Sequence, residues 1–125
     1  MWYETSLWRT RLPLEQAAME DRFPQFVLRR SGDGSLYWEG IVSPRRDAEF
    51  RVAIWYPAHY PYGEPVLRVL EPAIRPGAPH VYRDGNLCAH RERWDPSRGT
   101  AAGQVPLLCD WLDRYLDWLE DGRPF

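Results

Sequence analysis

The stretch from Ala78 to His90 holds two of the three histidines in the chain, one of its two cysteines and an Asp-Gly turn signal, and Trp94-Asp95-Pro96 follows it closely. A cysteine does nucleophilic chemistry as its thiolate. An ordinary thiol ionises near pH ~8.5, so a working cysteine needs a histidine, a cation or a donor-rich loop beside it. His80 and His90 flank Cys88 in sequence, and imidazole titrates near neutral pH. These residue types point to Cys88 as a nucleophile, with His80 and His90 as the candidate catalytic partners close by in sequence. Asp84 would polarise one of the histidines, and Tyr82, Leu87 and Trp94 would form the platform that fixes the loop. The plainer readings are a small buried hydrophobe for Cys88, an ordinary Asp-Gly turn residue for Asp84 and loop packing for the aromatics. The polar run His90-Arg91-Glu92-Arg93 argues against a core position for Cys88.

At 125 residues the chain is long enough for one hydrophobic core and too short for two, so residues 1–125 read as a single domain. A net charge of -2 offers no electrostatic case for nucleic acid or an anionic membrane as partner. All 16 basic residues are arginine, so no lysine side chain is available for acylation or a Schiff base. No apolar run approaches the roughly 18 residues of a membrane span, and Met1-Trp2-Tyr3-Glu4 does not open like a secretion signal. A cytoplasmic setting is therefore expected, with Cys88 and Cys109 both reduced.

The elements that must carry this stretch are legible in outline. Leu14 to Phe23 has helical composition, with Pro13 at its start and Pro24 after its end; Glu15, Glu20 and Asp21 make its outer side acidic. Strands are expected at Phe26–Arg30, Leu36–Val42, Phe50–Tyr56 and Val66–Leu70, separated by short turn signals. That order predicts an antiparallel meander. Tyr56 to Pro65 is rich in proline and aromatics and reads as a stiff turn, with His59 structural within it. About thirty residues without periodicity then run to Pro96, which marks an ordered functional loop anchored by Ile74, Val81, Tyr82, Leu87 and Trp94. Gln104 to Glu120 repeats apolar residues at helical spacing, with Pro106 in its first turn, Cys109 facing the sheet and Gly122 beyond its end.

The order helix, meander, Tyr-Pro-x-x-Tyr-Pro-x-x-x-Pro at Tyr56 to Pro65, Pro79-His80, Gly85-x-Leu87-Cys88, Trp94-Asp95-Pro96 and a closing helix resembles the ubiquitin-conjugating enzyme (UBC-like) fold over about residues 12 to 120. The resemblance implies an α+β domain with an N-terminal helix, a four-stranded antiparallel meander, a long ordered active-site loop and a C-terminal helix. It also implies that Cys88 carries a ubiquitin-like protein as a thioester and passes it to an amine, without a cofactor or metal. The family's His-Pro-Asn places hold Ala78, Pro79 and His80, so a histidine stands where the family has its asparagine. His90 replaces a residue that is commonly aspartate; the resemblance thus implies that the His80 ring N–H takes over the asparagine's part as donor to the oxyanion, with His90 as base or orienter. These departures resemble divergent bacterial members found beside an activating enzyme and a ubiquitin-like protein, or beside a cGAS-like nucleotidyltransferase in antiphage defence. The implied partners are an activating-enzyme-like protein and one of those two modifiers, with neither nucleic acid nor membrane among them.

Three other readings compete. A catalytically silent UBC-like or RWD-like module would bind partners only, and an unreactive Cys88 would mark it. A cysteine hydrolase would pair Cys88 with His80 or His90 and Asp84. A zinc site from His80, Cys88, His90 and Cys109 lacks the usual paired-ligand spacing.

Overall fold

The computed structural model describes residues 5–89 and 92–125. The chain runs α1 (Trp8–Arg22), β1 (Val27–Arg30), β2 (Leu36–Arg45), β3 (Ala48–Trp55), β4 (Val66–Glu71) and α2 (Ala101–Asp121). The four strands form one antiparallel sheet in the order β1-β2-β3-β4, so the expected α+β meander between two helices is what forms. The architecture is consistent with a UBC-like fold.

Alternation along the strands decides which face is buried. Leu36, Trp38 and Val42 of β2 lie beside Phe50, Val52 and Ile54 of β3 and Leu67 of β4, all buried. They share one core with Val105, Leu108, Leu112 and Tyr115 of α2 and Met19 of α1. On the opposite face Tyr37 stacks on Trp55 at 4.0 Å, and Glu39 takes Arg29 and Arg51 as ion partners. β2 and β3 run further toward each other than the turn signal at Ser43 to Asp47 predicted: β2 continues through Pro44, and Arg45 pairs with Ala48 after a register shift. Arg45 then reaches α2, donating to Asp113 and Asp117 at 2.6 Å each. That pair, spaced by one helical turn, ties the β2–β3 corner to the helix.

Both helices begin earlier than expected. α1 starts at Trp8 instead of Leu14, and α2 at Ala101 instead of Gln104, so Pro13 and Pro106 lie inside their helices, not in the first turns. A proline inside a helix forfeits one backbone hydrogen bond; burial along each helix offsets that loss. For α2 the start is set by Thr100, whose Oγ1 accepts from the Gly103 N–H at 3.0 Å as an N-cap. Gly122, at φ +72°, ends it in the left-handed conformation as predicted.

The expected outer acidic side of α1 loses one member, because Glu15 is buried at 1% exposure. Its Oε1 accepts from Tyr56 Oη and the Ala101 N–H, both at 2.8 Å. Its Oε2 accepts from Tyr60 Oη at 2.7 Å and Arg11 Nε at 3.2 Å. Arg11 also donates to the carbonyls of Pro96, at 2.8 Å, and Gly99. A buried carboxylate is tolerated only when its lone pairs are met in this way. Helical periodicity alone cannot reveal it, since the donors come from loops distant in sequence.

Removing that acceptor strands several buried donors. Glu15→Ala should cost about 3–5 kcal/mol in denaturant unfolding, with Glu15→Gln losing less because its amide oxygen still accepts. Burial, and then the Glu15 charge, push the Tyr56 and Tyr60 hydroxyls above the usual phenol range. Raised folded values mean that their contribution is intact below the unfolded value of ~10 and is lost as pH climbs beyond it. The melting temperature should therefore fall above about pH 10, and less steeply in Tyr60→Phe.

Candidate active site

The loop between β4 and α2 is built on a small hairpin. Val81 bridges Leu87, Leu87 bridges Leu67 of β4, and the Leu87 N–H donates to the Leu67 carbonyl at 2.8 Å. The Tyr82 N–H donates to Asn86 O at 2.8 Å, and the Cys88 N–H to His80 O at 2.9 Å. Its tip is the predicted Asp-Gly turn. Gly85 sits at φ +89°, where a side chain would be strained, and its N–H donates to Tyr82 O. Asp84 is occupied locally: its Oδ1 accepts from the Asn86 N–H at 3.0 Å and its Oδ2 from Asn86 Nδ2 at 2.9 Å. Arg68 of β4 donates to the Asp84 carbonyl and holds the tip down. Asp84 thus shapes the turn, and no hydrogen bond to a histidine is among its described contacts.

Hairpin alternation sorts the side chains. Leu87 is buried and Val81 half-buried in the core, whereas His80, Tyr82 and Cys88, at alternate places, are left for the outer side. The Tyr82 hydroxyl hydrogen-bonds the Cys88 thiol, and this contact holds the phenol above its usual range. His80 sits at φ +57°, the left-handed region that non-glycine residues rarely adopt. It shares with Cys88 a cleft of about 290 Å³ whose other walls are Leu107, Trp111 and Arg114 of α2, and Phe125. A second cleft of about 230 Å³ lies across the hairpin, between Tyr82, Asn86, Glu64 and Gln104. Cys88 is half-buried at the rim of the first.

His90 lies outside the described residues, so its expected place two residues after Cys88 stands as a sequence reading. Trp94 behaves as platform: its indole N–H donates to Pro61 O at 2.7 Å, and its ring covers Gly99, where a Cβ would come within 2.2 Å of it. His59 is packed in the same manner over Gly63, in keeping with a structural role. Cys109 is half-buried in α2, its thiol pushed up by burial. Among the described residues no group of three or more His, Cys, Asp or Glu is arranged to hold a metal. No described helix is long and apolar enough to cross a membrane.

Sequence reasoning did not anticipate Trp111, Arg114 and Phe125 as neighbours of Cys88. Trp111 follows the same helical spacing as the core positions. Phe125 stands beyond the helix-ending glycine, and an aromatic placed there, after Arg123-Pro124, was the one available signal.

The contact between phenol and thiol is directly testable. Tyr82→Phe should slow alkylation of Cys88 at pH 7 by roughly two- to tenfold, about the worth of one hydrogen bond to a charged group at an exposed site. Alkylation of Cys109, followed by mass spectrometry in the same sample, should not change.

Comparison with known proteins places these features in a family. Curated protein sequences yielded no match to the chain. The family model E2-CBASS, described as Type II CBASS E2 protein, matches residues 15–123, which takes in Glu15, the whole sheet, the Cys88 hairpin and α2. The chain therefore belongs to the E2-CBASS family of E2-like proteins of antiphage CBASS defence.

Proposed function

We propose that this chain is a single conjugating domain that carries an acyl group as a thioester on Cys88 and passes it to an amine. The donor would be an activating-enzyme-like protein of the same CBASS system, and the acyl group the C-terminus of a ubiquitin-like protein or of a cGAS-like nucleotidyltransferase. The observation that carries this reading is the hairpin from His80 to Cys88. It presents a half-buried thiol to a cleft, gives that thiol a phenol donor from Tyr82, and brings His80 into the same cleft wall.

In the first step the Cys88 thiolate attacks the carbonyl of the donor's thioester. A carbon–sulfur bond to Cys88 forms, the bond to the donor sulfur breaks, and the donor leaves as a thiolate. In the second step an amine attacks the new thioester and gives a tetrahedral oxyanion. Collapse forms the amide, the amine surrenders its proton, and the Cys88 thiolate departs. Tyr82 is assigned to the thiolate at the start and the end of this cycle, as the side chain that interacts with the sulfur. His80 is assigned to the oxyanion through its ring N–H, the task of a pre-positioned donor. His90 is kept as the candidate base on its sequence position and the chemistry of imidazole. Asp84 supports both steps indirectly by fixing the turn that sets the register of Tyr82 against Cys88.

Co-expression with the E1-like protein and nucleotidyltransferase of a CBASS system should give an adduct of one modifier's mass that vanishes with reductant. Cys88→Ala should abolish it. His80→Ala should load normally and discharge to an amine roughly a hundred- to a thousandfold more slowly, the usual effect of losing one oxyanion donor. An intact reductant-sensitive band in Cys88→Ala would refute the carrier assignment.

A further inference from the structure

α2 ends at Gly122, whose left-handed conformation turns the chain back on itself. Arg123 is held at that corner by Asp121, which accepts from its N–H and from Nη2, both at 2.9 Å. The segment then turns back along α2, and the Phe125 ring reaches the indole of Trp111. Phe125 forms part of the cleft wall there. Its ring lies edge-on to Trp111 at 5.6 Å and tilted against His80 at 5.4 Å. Its carbonyl oxygen hydrogen-bonds His80 Nε2.

A carbonyl can only accept, so His80 Nε2 must carry the proton, and in the neutral ring Nδ1 is left with a lone pair. The N–H in question is therefore taken by the chain's own backbone. What takes it is a backbone oxygen of Phe125, which lines the same cleft as Cys88 and is the kind of acceptor that the acyl oxygen of a thioester would bring there. Two features mark the closed arrangement as unsettled. His80 holds a rare backbone conformation. Trp111, in the wall of this cleft, has a buried indole N–H with no acceptor among the described residues, an unfavourable state that a change of occupant could relieve.

We propose that residues 122–125 form a pseudosubstrate latch. The Phe125 backbone oxygen occupies the His80 N–H, and the Phe125 ring lies against His80 and Trp111 in the cleft wall, so the segment must lift away before an acyl chain can settle on Cys88 with its oxygen on His80. The part concerning His80 rests on the assignment of that residue in the proposed reaction. The steric part concerns only access to Cys88.

The test uses two variants of the full protein, Phe125→Ala and a chain stopped after Gly122, with iodoacetamide as the probe of Cys88 and Cys109 as internal control. A latch closed for roughly 70–90% of the time leaves a third to a tenth of molecules open, so both variants should alkylate Cys88 roughly three- to tenfold faster. Cys109 should react at an unchanged rate. Adding the peptide acetyl-Gly-Arg-Pro-Phe-amide to the shortened chain should slow Cys88 again. A matching rise at Cys109 would mean that the shortened chain has loosened as a whole, and Phe125→Ala then decides. Unchanged or slower Cys88 alkylation in Phe125→Ala overturns the latch. Alkylation needs no activating partner, so a latch response without any thioester would sink the proposed reaction and leave the latch standing. A normal thioester whose formation and discharge ignore both variants would do the opposite.

Discussion

The carboxylate of Glu15 is the point at which the parts of this protein meet. It lies in α1, yet its four described donors come from the Tyr56-to-Pro65 loop, the first residue of α2 and Arg11. Arg11 extends the connection to the carbonyls of Pro96 and Gly99, and Tyr56 in turn accepts from Trp38 Nε1 at 2.8 Å within the core. A charged group in this position is costly unless every lone pair is used. Its burial therefore specifies one arrangement of helix, proline-rich loop and Trp94-Asp95-Pro96 loop, since any other leaves donors or acceptors stranded. The start of α2, set by Thr100 and Ala101, is fixed by the same group, and α2 supplies one wall of the Cys88 cleft.

The site is thus held from two sides by different means. Backbone pairing to β4 fixes the hairpin, because Leu87 joins an existing sheet edge and places Cys88 one residue beyond it. Polar side chains fix the surrounding loops, with Trp94 pinned to Pro61 and Arg11 to the residues after it. A small domain with a long irregular loop needs such anchors, since a loop of this length otherwise retains too much freedom to hold Cys88 and its neighbours in register.

Surroundings separate the two cysteines in a way that residue type and exposure do not. Both are half-buried. Cys109 meets only desolvation, which disfavours its thiolate, whereas Cys88 meets the Tyr82 hydroxyl and lies in a cleft wall with His80. Membership of the E2-CBASS family gives this asymmetry a setting in antiphage defence.

The meander, its register of apolar faces, the Asp-Gly turn and the concentration of reactive residues around Cys88 followed from the sequence alone, because alternation, turn chemistry and residue type are local properties. Local signals misplaced the helix starts. Pro13 and Pro106 look like boundaries until tertiary burial offsets their missing N–H bonds. Glu15 looked like surface charge for the same reason, since a carboxylate is tolerated inside only by donors from distant parts of the chain. The companionship of Phe125 with His80 and Trp111 was equally hidden. It arises because α2 runs back past the hairpin and Gly122 reverses the chain, so residues 45 apart in sequence share one hydrogen bond. Sequence thus determined which groups could react, and the tertiary structure decided which of them touch, because contact depends on where long-range packing brings the elements together.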